Sequence, residues 1–360
     1  MTELLGNPEP TFKIDGQPQG ALTRDAIELS VEESVEGLRT LQLSLLAFGP
    51  KEDGTGEGLL YLDGPPLTLG AKVEVTLGSG DEAQVVFTGK VSAVEGSFDS
   101  EREPKVEVFA EDALMQLRMT RRCKTYEKTS DEKLAESVGQ AHQLQVSTKA
   151  PGPTYDVVQQ WNQSDLAFLR ERARLIQAEL WVKDDTLHFA TRPNRVGQQV
   201  ELTLGVDLLR LDVRADLAHQ RSSVSVSGYD AKKREGFTKQ AGNEAIQAEA
   251  PKGKTGPQAV AALGNGLASL RVREAPLSQG EADAWAKAEL LRRARQFVVA
   301  LGTTRGTPTL DVGSRVKLVG AGNSFSGDGY YVTSVRHSWS RSEGFRTHFE
   351  AERGTLNEEA

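Results

Sequence analysis

The 360-residue sequence has one cysteine, Cys123, and no apolar run near the roughly 18 to 20 residues that a membrane-crossing helix needs. A single thiol excludes an intrachain disulfide framework and any multi-cysteine metal knuckle, and it suits a reducing compartment. Aromatic residues are sparse, with 12 Phe, 6 Tyr and 4 Trp. That argues against a large aromatic ligand cleft and against the stacked platforms of a sugar site. Basic residues are outnumbered, 43 Lys and Arg against 51 Asp and Glu, for a net charge of -8. Such a surface repels nucleic acid unless its basic residues segregate, and the one compact basic run, Arg118 to Lys124, is short and lacks interleaved aromatics. The opening residues, Met1 to Pro8, have neither a basic start nor an apolar core, so the expectation is a soluble protein made in the cytosol.

Chemical motifs are missing too. No Gly-x-Ser-x-Gly elbow is present. Gly253-Lys254-Thr255 resembles the end of a phosphate loop, but the first glycine that loop requires is replaced by Ala248. The segment Gly320 to Gly327 is glycine-rich without dinucleotide spacing and is expected to be a flexible hairpin loop. The five histidines show no helical i, i+4 pair; His337 and His348 suit neighbouring strands, but no third ligand suggests itself. The sequence therefore nominates no catalytic, cofactor-binding or metal residue and no cofactor. The expectation is a non-enzymatic protein, with a β-rich cell-wall hydrolase as the alternative.

What is present is glycine, 35 residues of it, between short alternating runs. Ala26 to Val31, Leu41 to Leu45, Val73 to Leu77, Val91 to Val94 and Val106 to Phe109 place every second residue on an apolar face, the period of half-buried strands. Residues 1–112 thus predict a first antiparallel β barrel or sandwich. Thr129-Ser130-Asp131-Glu132 matches a capping box opening a helix to about His142. Ser164-Asp165 opens a second helix striped by Leu166, Leu169, Ala173 and Ile176. A hairpin then joins Glu179–Val182 to Thr186–Phe189 across Lys183-Asp184-Asp185. That predicts a mixed helix and hairpin domain over 113–203. Alternation returns at Leu209 to Val213 and Val224 to Val226, and again from about Phe297 to Arg353. A second barrel is therefore expected at 204–230 and 296–360, split by a polar, partly helical insertion at 231–295 with the stripe Ala284, Ala288, Leu291, Ala294 and Val298. The tail from Gly354 is expected to fray.

The two barrel regions resemble each other. Asp25, Ile27, Leu29 and Val31 fall on Asp207, Leu209, Leu211 and Val213 at an offset of 182. Gly70 and Val73 fall on Gly313 and Val316 at 243, and Val91, Val94 and Val106 to Asp112 fall on Val332, Val335 and Thr347 to Arg353 at 241. The fold class expected is mainly β with α+β insertions: two antiparallel β barrels related by internal duplication, plus the mixed domain and the insertion.

Two segments carry a family resemblance. Gln159-Gln160-Trp161-Asn162-Gln163-Ser164-Asp165-Leu166-Ala167-Phe168-Leu169-Arg170-Glu171-Arg172 is similar to the entry into the helical domain of phage late control D proteins, the tail baseplate hubs. It is also similar to that of the N-terminal hub module of the type VI secretion spike protein. Leu310-Asp311-Val312-Gly313-Ser314-Arg315-Val316, with Phe325-Ser326-Gly327 and Gly329 to His337, resembles the same family's closing module. The resemblance implies a contractile injection system hub: a homotrimeric, pseudo-sixfold ring adapting a hexameric inner tube to a trimeric spike. The implied partners are copies of itself, the spike protein, the inner tube or tube-initiator protein, the baseplate wedge proteins, and cargo or DNA passing the lumen. The place implied is the baseplate of a virion tail or injection particle assembled in the bacterial cytoplasm. Nothing after Arg353 resembles spike repeats, so the spike is expected to be a separate protein. The acidic balance predicts a net negative lumen.

Overall fold

The structure is a computed structural model that describes residues 9–50, 56–62, 65–250, 252–264, 268–271 and 275–357. The first alternating region forms six strands in the spatial order Ala26–Ser34, Thr40–Leu46, Arg102–Glu111, Gln84–Asp99, Lys72–Leu77 and Thr11–Ile14. Cross-strand pairs such as Leu29 with Leu43, Val31 with Leu41 and Leu43 with Val108 put one apolar face inward. Phe12, Ile14, Val73, Val75, Phe87 and Val91 join the same buried core. Helix Gly20–Asp25 touches both Thr11–Ile14 and Thr40–Leu46, four places apart in the sheet. A flat sheet would hold those strands about 19 Å apart, so this sheet curls round its core.

The order recurs in the second half: Leu208–Ala215, Val298–Thr304, Gly344–Arg353, Gly327–Ser340, Arg315–Val319 and Gln199–Thr203. The strands of the two halves correspond place for place. Their turns also correspond, since the Gly70 N–H donates to Val91 O (2.8 Å) where the Gly313 N–H donates to Val332 O (2.9 Å). Both glycines have positive φ, which a β-carbon would strain. One difference is that Thr11–Ile14 runs antiparallel to its neighbour while Gln199–Thr203 runs parallel. Leu202, Leu208, Val298, Val316, Tyr330, Val332 and Phe349 fill a second core. The halves join edge to edge where Gly327–Ser340 pairs with Ala26–Ser34, giving one 13-stranded sheet. Trp339 and Phe345 cross that seam into the first half's core.

The chain between the halves forms a ribbon of Arg121–Ser130 with Thr154–Ser164, helices Asp131–Ala141 and Asp165–Ile176, and the hairpin Ala178–Lys183 and Thr186–Thr191. The hairpin turns through Asp184 and Asp185, both at positive φ. Ser164 caps its helix, accepting from the Ala167 N–H at 3.1 Å. The first helix differs from the capping-box expectation. Ser130 is the cap, and Glu132 instead accepts from the Ala150 N–H at 2.8 Å, because Thr129 is held in the ribbon.

Three further sequence expectations are corrected. Val224 and Val226 do not join the second barrel: their strand, Ser223–Asp230, pairs with Glu235–Ala241 and Ala268–Arg271 in a separate sheet, while Gln199–Thr203 does join it. The insertion is polar in sequence, yet it shares the middle domain's core through Ala241, Ala282, Trp285, Ala286 and Leu290, beside Val224 and Val226. Its helix, Gln279–Arg295, stops short of Val298, which starts a strand. The tail does not fray from Gly354: Thr355–Leu356 pairs with Lys254–Thr255, and Asn357 donates to Asn323 O and Ser326 O at 2.7 Å. Residues 358–360 lie outside the described residues.

Candidate functional site

The candidates for chemistry resolve into structural roles. His337 and His348 lie on adjacent strands but point to opposite faces. His337, buried, meets Thr347 Oγ1 at 3.0 Å, whereas His348 meets Thr303 Oγ1 and Ser338 Oγ at 3.1 and 3.3 Å. Among the described residues, no cluster of three or more His, Cys, Asp and Glu is placed to hold a metal. Thr255 caps helix Gly256–Ala261 in a capping box with Gln258, so Gly253-Lys254-Thr255 starts a helix in place of a phosphate loop. The Gly320 to Gly327 loop is pinned, Arg353 donating to Ser324 O at 2.8 Å and Tyr330 Oη to Phe325 O at 2.7 Å. A cavity of about 260 Å³ is lined by Arg192, Glu249, Arg295, Arg315, Tyr331 and Glu352. Arg295 is bound to Glu249 and Arg192 to Glu352. Among the described residues, no helix is long and apolar enough to cross a membrane.

The Gln-x-x-x-Ser-Asp segment holds the middle domain together. Asp165 is fully buried and accepts from Arg122 Nε at 2.9 Å and Gln160 Nε2 at 2.8 Å, with His142 Nε2 2.7 Å away. Arg172, at the motif's end, reaches Asp131 at 2.6 Å and lies 4.3 Å over the Tyr155 ring. A buried carboxylate needs such partners to remain folded in.

A second buried network clasps all three parts of the chain. Arg39 binds Glu33 within the first half and reaches Asp311 of the second at 3.1 Å. Arg195 bridges Glu33 (2.9 Å) and Glu179 of the middle domain (3.2 Å) while lying 4.2 Å over Trp181. Glu179 also accepts from Tyr331 Oη and from Arg192 (3.4 Å), and Arg192 reaches Glu352 at 2.8 Å. Burial raises the Tyr331 hydroxyl pKa, reinforced by the Glu179 charge, so the tyrosine stays a donor. No local spacing revealed this clasp; it joins residues more than 150 positions apart.

What remains open is the sheet itself. Leu208–Ala215 pairs with Val298–Thr304 along one edge, and among the described residues its other edge carries a single bridge at Leu208. Gln84–Asp99 pairs with Lys72–Leu77 only over Gln84 to Lys90, leaving Ala93 to Asp99 without a strand on that side among the described residues. Unpaired donors and acceptors on an edge strand invite another strand. The polar face of the sheet carries both signs on each half, with Glu28, Glu32, Glu107 and Glu111 beside Lys90 and Lys105 on the first and Arg210, Arg214, Arg336 and Arg346 beside Asp212 and Glu350 on the second.

Comparison with solved structures places the fold. Over 96% of this chain and 98% of theirs, the coordinates match a 43 kDa tail protein of prophage MuSo2 from Shewanella oneidensis, with a TM-score of 0.71 at 14% identity. A tail protein from Neisseria meningitidis matches over 96% and 97% of the two chains, at 0.68 and 13%. An E. coli protein described as a type VI secretion component with structural similarity to bacteriophage T4 tail proteins matches over 97% and 79%, at 0.60 and 12%. At such identities the likeness is one of fold, and it is the fold of the tail and secretion-spike kind that the motifs resemble. No curated protein matches the sequence. The sequence profile of one family does match, from residue 55 to residue 341, and on that extent the chain belongs to the family described as the Alg8 N-terminal domain, Alg8_N.

Proposed function

We propose that this chain is a structural hub of a phage tail or contractile injection particle, in which three copies close a ring of six similar halves between a hexameric tube and a trimeric spike. The observation that carries the reading is the recurrence of one strand order in both halves, each with its own core and each ending on an open edge. In this reading the first half, 1–112, and the discontinuous second half, whose strands lie within 199–215 and 298–353, descend from a duplication, and the domain between them braces them with the insertion packed on it. The tail-protein folds it matches support the assignment. Its partners would be further copies, spike, tube and wedge proteins. Because the polar face carries acidic and basic residues on both halves, the lumen would be mixed in charge, not uniformly negative, if that face lines it.

The reading gives the chain no catalytic step. The test is genetic and structural: deleting the gene should leave sheath and tube components unassembled or tubes without spikes in micrographs. Complete, spike-bearing particles without the chain would refute it. Clearing of purified cell wall by the isolated chain in a zymogram would refute the non-enzymatic part.

A further inference from the structure

The seam inside the chain supplies a template for an interface the chain does not make by itself. There, Gly327–Ser340 lies against Ala26–Ser34 in the register Arg336 to Glu32, Ser338 to Ser30 and Trp339 to Leu29. Each of these strands has an equivalent in the other half: Gln84–Asp99 for Gly327–Ser340, and Leu208–Ala215 for Ala26–Ser34. Both equivalents carry an open edge at the corresponding stretch. Moved to those positions, the seam's register sets Glu95 opposite Arg214, Ser97 opposite Asp212 and Phe98 beside Leu211.

Three observations support that register. The charges at the seam are inverted at the equivalent positions: Arg336 becomes Glu95 and Glu32 becomes Arg214, so the facing pair stays of opposite sign. A slip by two residues would bring Glu95 against Asp212, a like-charge pair that disfavours it. Burial shows what is missing. Trp339 is 4% exposed inside the neighbouring half's core, whereas its equivalent Phe98 is 63% exposed. Leu29 and Val31 are 3% and 2% exposed, but their equivalents Leu211 and Val213 are only partly buried at the rim of the second core.

We propose that the Ala93 to Asp99 edge of one copy pairs with Leu208–Ala215 of the next, repeating the internal seam with its charges reversed, and that Phe98 enters the neighbour's second core as Trp339 enters the first. The occupant of each open edge is a second copy of this chain. The reversed charges make the junction heterotypic, first half to second half, so copies add head to tail and a ring closes without a free edge. This inference rests on the ring reading above and names its contacts.

The test uses the full chain with Cys123→Ser, carrying Ser97→Cys and Asp212→Cys together. Mild oxidation of the assembled protein should give reducible species of two and three chains. Phe98→Ala should weaken self-association about tenfold to a hundredfold. Glu95→Arg or Arg214→Glu alone should weaken it about tenfold or more, and the double exchange should restore it. Because these residues are exposed in the single chain, circular dichroism of each variant should match the parent. A parent that assembles while the cysteine pair does not crosslink and the exchanges have no effect overturns this junction and leaves the ring reading standing. A parent that stays monomeric at every concentration, alone and with tube and spike proteins, overturns both.

Discussion

Replacing Arg195 with Met tests whether the buried clasp holds the three parts of the chain as one unit. Arg195 is 5% exposed and stands between Glu33 and Glu179, themselves 9% and 5% exposed. Methionine keeps much of the volume over Trp181 but removes the charge, leaving Glu33 to Arg39 and Glu179 to Arg192 and Tyr331. Breaking a buried pair on one side costs about 3–5 kcal/mol, since the remaining carboxylate keeps its desolvation cost without its full compensation. Urea unfolding followed by tryptophan fluorescence reads the change as a lower midpoint, Trp181 reporting from beneath the lost guanidinium. Adding Glu33→Gln and Glu179→Gln should recover much of the loss, because a neutral, hydrogen-bonded cluster no longer buries unpaired charge. The control is Lys232→Met, which breaks an exposed pair with Asp156 and should leave the midpoint unmoved. If Arg195→Met behaved like the control, the clasp would not be holding the parts together.

Acid should act through two groups of opposite sign. Burial, then the nearby Arg39 charge, holds His337 at about 3, below its ordinary value, so its contribution is present above about pH 6.5 and is lost as pH falls toward 3. Burial raises Asp112 to about 6, so the folded state holds a proton there that the unfolded state lacks, and this group favours folding as pH falls from 6 to 3.8. Stability measured between pH 4 and 6 should therefore fall more steeply in Asp112→Asn, by about 1.4 kcal/mol per pH unit, and less steeply in His337→Gln; unchanged slopes would contradict both assignments. Gly37 has φ +68°, and a β-carbon there would stand 2.2 Å from Leu180 O, where the first half meets the middle domain. Gly37→Ala should cost about 2 kcal/mol or more in the same unfolding assay, and a neutral result would mean that this approach relaxes freely.

Strands were legible where alternation repeats, because one buried face fixes the period; Leu41, Leu43 and Leu45 lie inward as their spacing predicts. The offsets linking Leu29 to Leu211 and Val91 to Val332 carried into equivalent strands for the same reason. Partner choice was not legible. Val224 and Val226 alternate as barrel strands do, yet their strand pairs in another sheet and their side chains fill the middle domain's core. The insertion's helix was legible from its stripe, but its polar composition hid that it buries Trp285 and Leu290 in the middle domain's core. The clasp was invisible because Glu33, Arg39, Glu179 and Arg195 are four among 94 charged residues, with nothing in their spacing to set them apart. The Gln160, Ser164 and Asp165 motif was visible, and the structure explains its residues as a cap and a buried hydrogen-bonded anchor.

The central claim is that two similar halves per chain let three chains make a six-part ring. Native mass spectrometry of the purified full-length protein, across a concentration series and with its spike protein present, measures this directly. The account predicts a closed species of three copies of the 360-residue chain with no open-ended series of larger assemblies. A monomer at every concentration with and without spike, or a closed ring of any other number, would contradict it.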